Sequence, residues 1–293
     1  MQEIITDSLL DTIKDTATLI PFLFITYLAM EWLERRTEEQ SVALLSRMGR
    51  FRHVIAAGIG LVPQCGFSAA AASLYSGGVI TAGTLIAVFL STSDEMVPIF
   101  LSSAVPAGTI GRILLAKFVI ALVSGIAIDA GSRAARRWVH ADKHIHDLCE
   151  REHCGCGDEE GGIFRSALVH TLKITLFIFI ISLILSLLVG FLGEDAMASL
   201  FSGAPLAGTV IAALIGLIPN CAASVAVTQM YLGGILTTGQ LMAGLLTGAG
   251  VGLLVLFRTN AHHRENLAIL AVLFALGVFW GSLIDLMGIT LQV

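Results

Sequence analysis

Charge is what this sequence lacks. Of 293 residues only 13% are Asp, Glu, Lys or Arg, while 56% are apolar, and the mean hydropathy is +0.86. A soluble domain carries about a quarter charged residues, so this chain cannot cover itself with a water-compatible surface. A basic start is also missing: the first apolar stretch, 16–33, follows Glu3, Asp7 and Asp11, so no cleavable signal peptide is expected. No Walker A signature or other nucleotide motif appears, which argues against direct use of ATP, and no nucleic-acid partner is expected. What is there instead is a series of apolar runs long enough to cross about 30 Å of hydrocarbon. The chain reads as a multi-pass integral protein of the cell (inner) membrane, with the lipid bilayer as its first partner. The net charge of −5 matters less than where the charges lie.

The chain repeats itself. Val54-Ile55-Ala56-Ala57-Gly58-Ile59-Gly60-Leu61-Val62-Pro63-Gln64-Cys65 returns as Val210-Ile211-Ala212-Ala213-Leu214-Ile215-Gly216-Leu217-Ile218-Pro219-Asn220-Cys221, at an offset of 156 residues. The register holds without a gap through Ser68/Ser224, Tyr75/Tyr231, Gly77-Gly78/Gly233-Gly234, Thr81/Thr237 and Gly83/Gly239, and again at Gly125/Gly281 and Asp129/Asp285. Shared apolar composition would give scattered matches, not Pro, Cys, Tyr, paired Gly and Asp in register. The expected organisation is a first transmembrane repeat over 1–131, a linker over 132–164 and a second repeat over 165–293.

Lys and Arg orient the copies. Arg35, Arg36, Arg47, Arg50 and Arg52 crowd 34–52, and Arg133, Arg136, Arg137, Lys143, Arg151 and Arg165 crowd 132–165. Arg258 and Arg264 mark 258–264, whereas 190–206 holds only Glu194 and Asp195. Basic segments stay in the cytoplasm, so equivalent loops of the copies fall on opposite sides, and the repeat is expected to be inverted with both termini outside. Three apolar stretches between 52 and 132 would leave the linker on the wrong side. The conflict disappears if 53–76, broken at Gly60, Pro63 and Gly66, is a re-entrant hairpin, with its copy at 209–232. The competing reading is an ordinary span kinked at Pro63. The fold class is therefore all-α and polytopic, with three full spans and one broken hairpin per half, ten helical segments in all. Interrupted segments at matching positions of two halves point to a transport site near the midplane.

Asp94 and Glu95 lie inside an apolar span, where a charge costs several kcal/mol unless paired or hydrated. Lys117, in the next span, is about as far from the intervening turn as Asp94, so the two fall at similar depth; Arg112 lies nearer the outer end. One reading is an ion pair that only fixes helix register. The other is a cation or proton site at Asp94 and Glu95, with Lys117 and Arg112 as counter-ions and Lys117 standing in when the site is empty. Thr92, Ser93 and Met96 are further candidate ligands, with Ser91 beside them. At the hairpin tips Gln64 and Asn220 offer amide oxygens and Cys65 and Cys221 offer thiols. Oxygen donors suit Mn²⁺ or Mg²⁺, and thiols shift preference toward softer ions; a small buried apolar role is the alternative for each Cys. The linker gathers His140, His144, His146, Cys149, His153, Cys154 and Cys156, donors enough for a tetrahedral metal site though in no standard zinc spacing. Its alternative is a solvated, tolerant connector.

Three segments resemble the family of ten-transmembrane heavy-metal exporters, also described as arsenic-efflux-like permeases or manganese transporters. They are Gly60 to Ser68 (GLVPQCGFS), Ser91 to Pro98 (STSDEMVP) and Gly216 to Ser224 (GLIPNCAAS). The likeness covers most of the chain outside the linker, and six full spans plus four half-helices would give the family's ten. It implies metal or metalloid export. Manganese would favour Asp94, Glu95, Gln64 and Asn220, and arsenite Cys65 and Cys221. The leading expectation is a secondary carrier exporting a divalent metal, coupled to protons or another ion, with no cofactor beyond a transported or regulatory divalent metal. The alternative is an anion or metalloid permease using the hairpin tips. An intramembrane enzyme, with Cys65 or Cys221 as nucleophile and only His170 as a base, and a linker-based metal sensor are further classes. A homodimer is compatible with the sequence.

Overall fold

The computed structural model describes residues 51–63, 66–93, 96–135, 205–219 and 221–290, with scattered positions in 9–28 and 164–183 that are also helical. Ten helices are continuous within those ranges: α1 Arg52–Gly60, α2 Gly66–Ser76, α3 Ala82–Ser91, α4 Met96–Ser102, α5 Ala107–Ala135, α6 Pro205–Gly216, α7 Cys221–Leu232, α8 Thr238–Thr247, α9 Gly252–Thr259 and α10 His263–Leu286. Four stretches are long and apolar enough to cross a membrane: Ala82–Leu101, Ala107–Ser132, Thr238–Thr259 and His263–Leu286. The chain is thus an all-helical, multi-pass membrane protein. The described helices of 52–135 and 205–286 follow one another in the same order; the starts of the last three in each series differ by the 156-residue offset of the sequence, and those of the first two by 153 and 155.

Local chemistry explains why the helices stop where they do. Val79 N–H donates to Leu74 O and Gly77 N–H to Ser73 O, closing α2 with a turn in which Gly78 sits at φ +75°. The same closure ends α7, with Ile235 donating to Met230, Gly233 to Gln229, and Gly234 at φ +72°. Glycine reaches that left-handed region without a Cβ clash. Each new helix then starts on a threonine. Thr81 Oγ1 accepts from Thr84 N–H, and Thr237 forms a full capping box with Gln240.

Two carboxylates show which helix ends lie together. Asp129, near the end of α5, accepts from Thr81 Oγ1 (2.7 Å) and Gly83 N (2.9 Å) at the start of α3, and from Arg52 at the start of α1 (2.9 Å). His53 Nε2 lies 2.9 Å from the same carboxylate. The chain that leaves this end of the molecule at Arg52 has therefore come back to it by Thr81, so α1 and α2 fold back on themselves. Asp285 repeats two of these bonds, accepting from Thr237 Oγ1 and Gly239 N, both at 2.8 Å. At each place two helices cross glycine on glycine. A Cβ on Gly83 would stand 2.4 Å from Gly125 O, and one on Gly239 2.2 Å from Gly281 O.

The helices also pack across the halves. α2 lies along α9, with Ser76 Oγ 2.7 Å from Thr259 Oγ1 at one end and Gly252 pressed on Ser68 at the other, so the two run parallel. α7 packs on α4, where the Phe100 and Tyr231 rings stand 6.3 Å apart. Without a hydrophobic drive between helices in lipid, close backbone approach through Gly, Ala and Ser is what such packing needs.

Candidate functional site

The span Ala82–Leu101 is interrupted between α3 and α4, and Thr238–Thr259 between α8 and α9. In each half the fold-back tip lies beside the interruption. A Cβ on Gly60, at the end of α1, would fall 2.0 Å from Ser91 Oγ, and one on Gly216, at the end of α6, 2.3 Å from Thr247 Oγ1. Contact also crosses the halves, since Gly252, the first residue of α9, touches Ser68 and Phe89 of the first half. The two tips and the two interruptions thus gather in one region.

Lys117 of α5 reaches into that region and is fully buried. Its ammonium donates to Thr92 O, the carbonyl that follows α3, and to Leu245 O in the last turn of α8, at 3.1 Å. Carbonyls in a helix's final turn lack intrahelical partners and carry the negative end of the helix dipole. Burying an ammonium at the middle of a membrane costs about 2.5–3.5 kcal/mol on insertion scales. Hydrogen bonds to a charged group contribute about 1.5–3 kcal/mol each, so two such bonds are enough to offset that cost. The residue at the matching position of the second half is Leu273, equally buried. At this position of the repeat the ammonium therefore comes from the first half alone.

Hydroxyl residues flank the Thr92 carbonyl along the chain. Ser91, Thr92 and Ser93 are buried, and their hydroxyls donate to backbone: Ser91 to Ala87 O and Val88 O, Thr92 to Val88 O, Ser93 to Ser91 O. Donation inward leaves oxygen lone pairs as the acceptor surface, which suits a cation. Met96, at the first turn of α4, is buried as well. Across the break in the other half, Thr247 Oγ1 reaches Ala213 O at 2.8 Å and fastens α8 to α6.

The sequence candidates divide. Thr92 and Lys117 meet here, Ser93 and Met96 are buried beside the same break in the chain, and Cys221 begins α7 immediately after a tip. Arg112 lies on the same helix as Lys117 but is exposed. Asp94, Glu95, Gln64, Cys65 and Asn220 lie outside the described residues, as do linker residues His140, His144, His146, Cys149, His153, Cys154 and Cys156. The described flanks bracket the first five: Ser93 and Met96 on either side of Asp94 and Glu95, Pro63 and Gly66 around Gln64 and Cys65, Pro219 and Cys221 around Asn220. Among the described residues no three of His, Cys, Asp and Glu converge on a metal-sized site. Sequence reasoning matched Asp129 to Asp285 but missed what they do. The signal was there, because Thr81/Asp129 and Thr237/Asp285 are equally spaced.

Interrupted apolar helices gathered around a buried charge define the polytopic membrane transporter class. Residues 1–194 match the family described as "Putative, 10TM heavy-metal exporter", and the chain belongs to that family. Curated proteins and solved structures gave no match.

Proposed function

We propose that this chain is a secondary-active carrier that exports a divalent metal cation, Mn²⁺ or a close relative, driven by protons or another ion. The observation that carries the reading is the Lys117 ammonium bridging helix-end carbonyls at both interruptions, with the end of α1 beside one and the end of α6 beside the other. A place that holds one cation on backbone oxygens, lined by hydroxyls and flanked in sequence by Asp94 and Glu95, has the hard oxygen chemistry a divalent ion requires. Gln64 and Asn220 would add amide oxygens from the tips and Cys65 and Cys221 softer donors, while Lys117 would balance Asp94 and Glu95 when no metal is bound, with Arg112, exposed on the same helix, as a more distant counter-ion. The His/Cys linker would capture or sense metal on the cytoplasmic side.

Two halves of opposite orientation give such a carrier its alternation. Contacts support that arrangement. Ser76 meets Thr259 and Tyr75 OH donates to Glu265 (3.2 Å), so the ends of α2 and α9 and the start of α10 share the Asp129 end of the molecule. α10, a 24-residue helix about 36 Å long, then leads away to Asp285. The equivalent carboxylates thus sit toward opposite ends, in keeping with inverted repeats, cytoplasmic 132–164 and outside termini.

Liposomes loaded with a metal-sensitive dye decide the matter. Mn²⁺, Zn²⁺, Co²⁺ and Ni²⁺ are compared in wild type and in the Asp94→Asn/Glu95→Gln double variant at equal folded yield. Flux of a divalent ion, lost in the variant, is the expected result. Arsenite flux with no divalent flux would move the substrate to a metalloid held at the tips.

A further inference from the structure

Lys117 does more than stand near the proposed metal site, because it bonds carbonyls that belong to different halves. Thr92 lies in the first half and Leu245 in the second, 128 residues along the chain from Lys117. Both carbonyls sit where a helix stops, and both would serve a metal ion as well as they serve an ammonium. A lysine ammonium is a compact, strongly hydrated point charge on a flexible four-carbon stem, so it can be withdrawn and replaced. It sits on α5, a helix held at its far end by Asp129. A divalent ion and an ammonium within the same low-dielectric cradle repel strongly, so the two cannot share it.

We propose that Lys117 is a tethered cation that takes turns with the transported metal at the carbonyls of Thr92 and Leu245, and that the empty carrier re-orients only with the ammonium seated. This rests on the metal-carrier reading. Metal arrival expels the ammonium and loosens one contact between the halves. Metal departure leaves cation-seeking carbonyls uncompensated, and the ammonium returns to them. The cradle then stays neutralised while the unloaded protein changes face, a movement that bare helix ends at membrane depth would oppose.

The inference separates two kinds of flux. Metal-for-metal exchange needs only the metal-loaded carrier to cross, whereas net efflux also needs the metal-free carrier to return, with its coupling ion. Lys117→Gln keeps a donor for the carbonyls without charge, and Lys117→Met matches the stem, so a folding failure in one leaves the other. In proteoliposomes both variants should exchange radiolabelled manganese at the wild-type rate and lose net efflux. Each should bind Mn²⁺ about tenfold more tightly in equilibrium dialysis, because the internal competitor is gone. Exchange and net efflux falling together in folded protein would make Lys117 a structural residue and overturn the inference. Both fluxes persisting would also overturn it.

If wild type exchanges no divalent ion, the substrate reading fails, and the ammonium is judged without metal. A reporter thiol introduced at buried Ser68 is treated with a membrane-impermeant maleimide from each face. Labelling from both faces with Lys117 present, but from one face in Lys117→Gln, upholds the return step; the same labelling in both rejects it.

Discussion

At the scale of single residues, the two halves run a controlled comparison on one carboxylate. Asp129 and Asp285 each bond a threonine hydroxyl and a glycine N–H at the start of the neighbouring helix. Asp129 alone also meets Arg52 and His53, because the second half carries Gly208 and Thr209 at those positions. Removing one partner of a buried ion pair leaves the other charge stranded, which costs more than losing a neutral bond. The Arg52 side chain is 32% exposed, so water softens that penalty. Asp129→Asn should therefore destabilise by about 2–3 kcal/mol and Asp285→Asn by about 1 kcal/mol. Heating the two variants in detergent and following loss of the monodisperse peak gives the order. Equal losses would mean that Arg52 and His53 add nothing. The sequence pairs these aspartates through the repeat, yet hides their work, because Arg52 and Asp129 are far apart in the chain and only the fold-back of α1 and α2 brings them together.

At the scale of elements, glycine sets how closely the helices approach. Gly60 and Gly216 let the ends of α1 and α6 press on α3 and α8, and a Cβ on Gly216 would come within 2.1 Å of Gly244 O. Backbone cannot step aside as a flexible side chain can. Gly216→Ala should cost about 1–3 kcal/mol, as overpacking does, and lower the yield of folded protein. Gly58→Ala, whose Cβ would meet nothing within 4 Å, is the control and should be neutral or slightly stabilising. A Gly216→Ala protein as abundant and as heat-stable as Gly58→Ala would show that the crossing is looser than described. The breaks at the two fold-back tips were legible beforehand from Gly60, Pro63, Gly66 and their copies, but the interruptions of Ala82–Leu101 and Thr238–Thr259 were not, because both stretches read as unbroken apolar spans. That α2 would lie on α9 rather than within its own half was not legible, because Ser, Ala and Gly faces look alike from either side.

At the scale of the whole molecule, the distribution of Arg and Lys assigns equivalent loops of the two halves to opposite sides, which labelling can test. The sharpest check is a pair of equivalent positions. Val79 and Ile235 follow the two matching glycine turns and differ by the repeat offset. In intact cells an impermeant maleimide should label Ile235→Cys from outside and leave Val79→Cys untouched until the membrane is opened. Labelling of both from one side would rule out halves of opposite orientation. The exchange of partners between halves also has a consequence for how the protein is made. α2 leaves the ribosome roughly 180 residues before α9, so at about 5–20 residues per second it waits some tens of seconds for the surface it will rest on. During that interval the small-residue face of α2 has no native neighbour, and the nascent first half is incomplete by construction. The membrane-insertion machinery, or lipid itself, must shelter that face until the second half is synthesised.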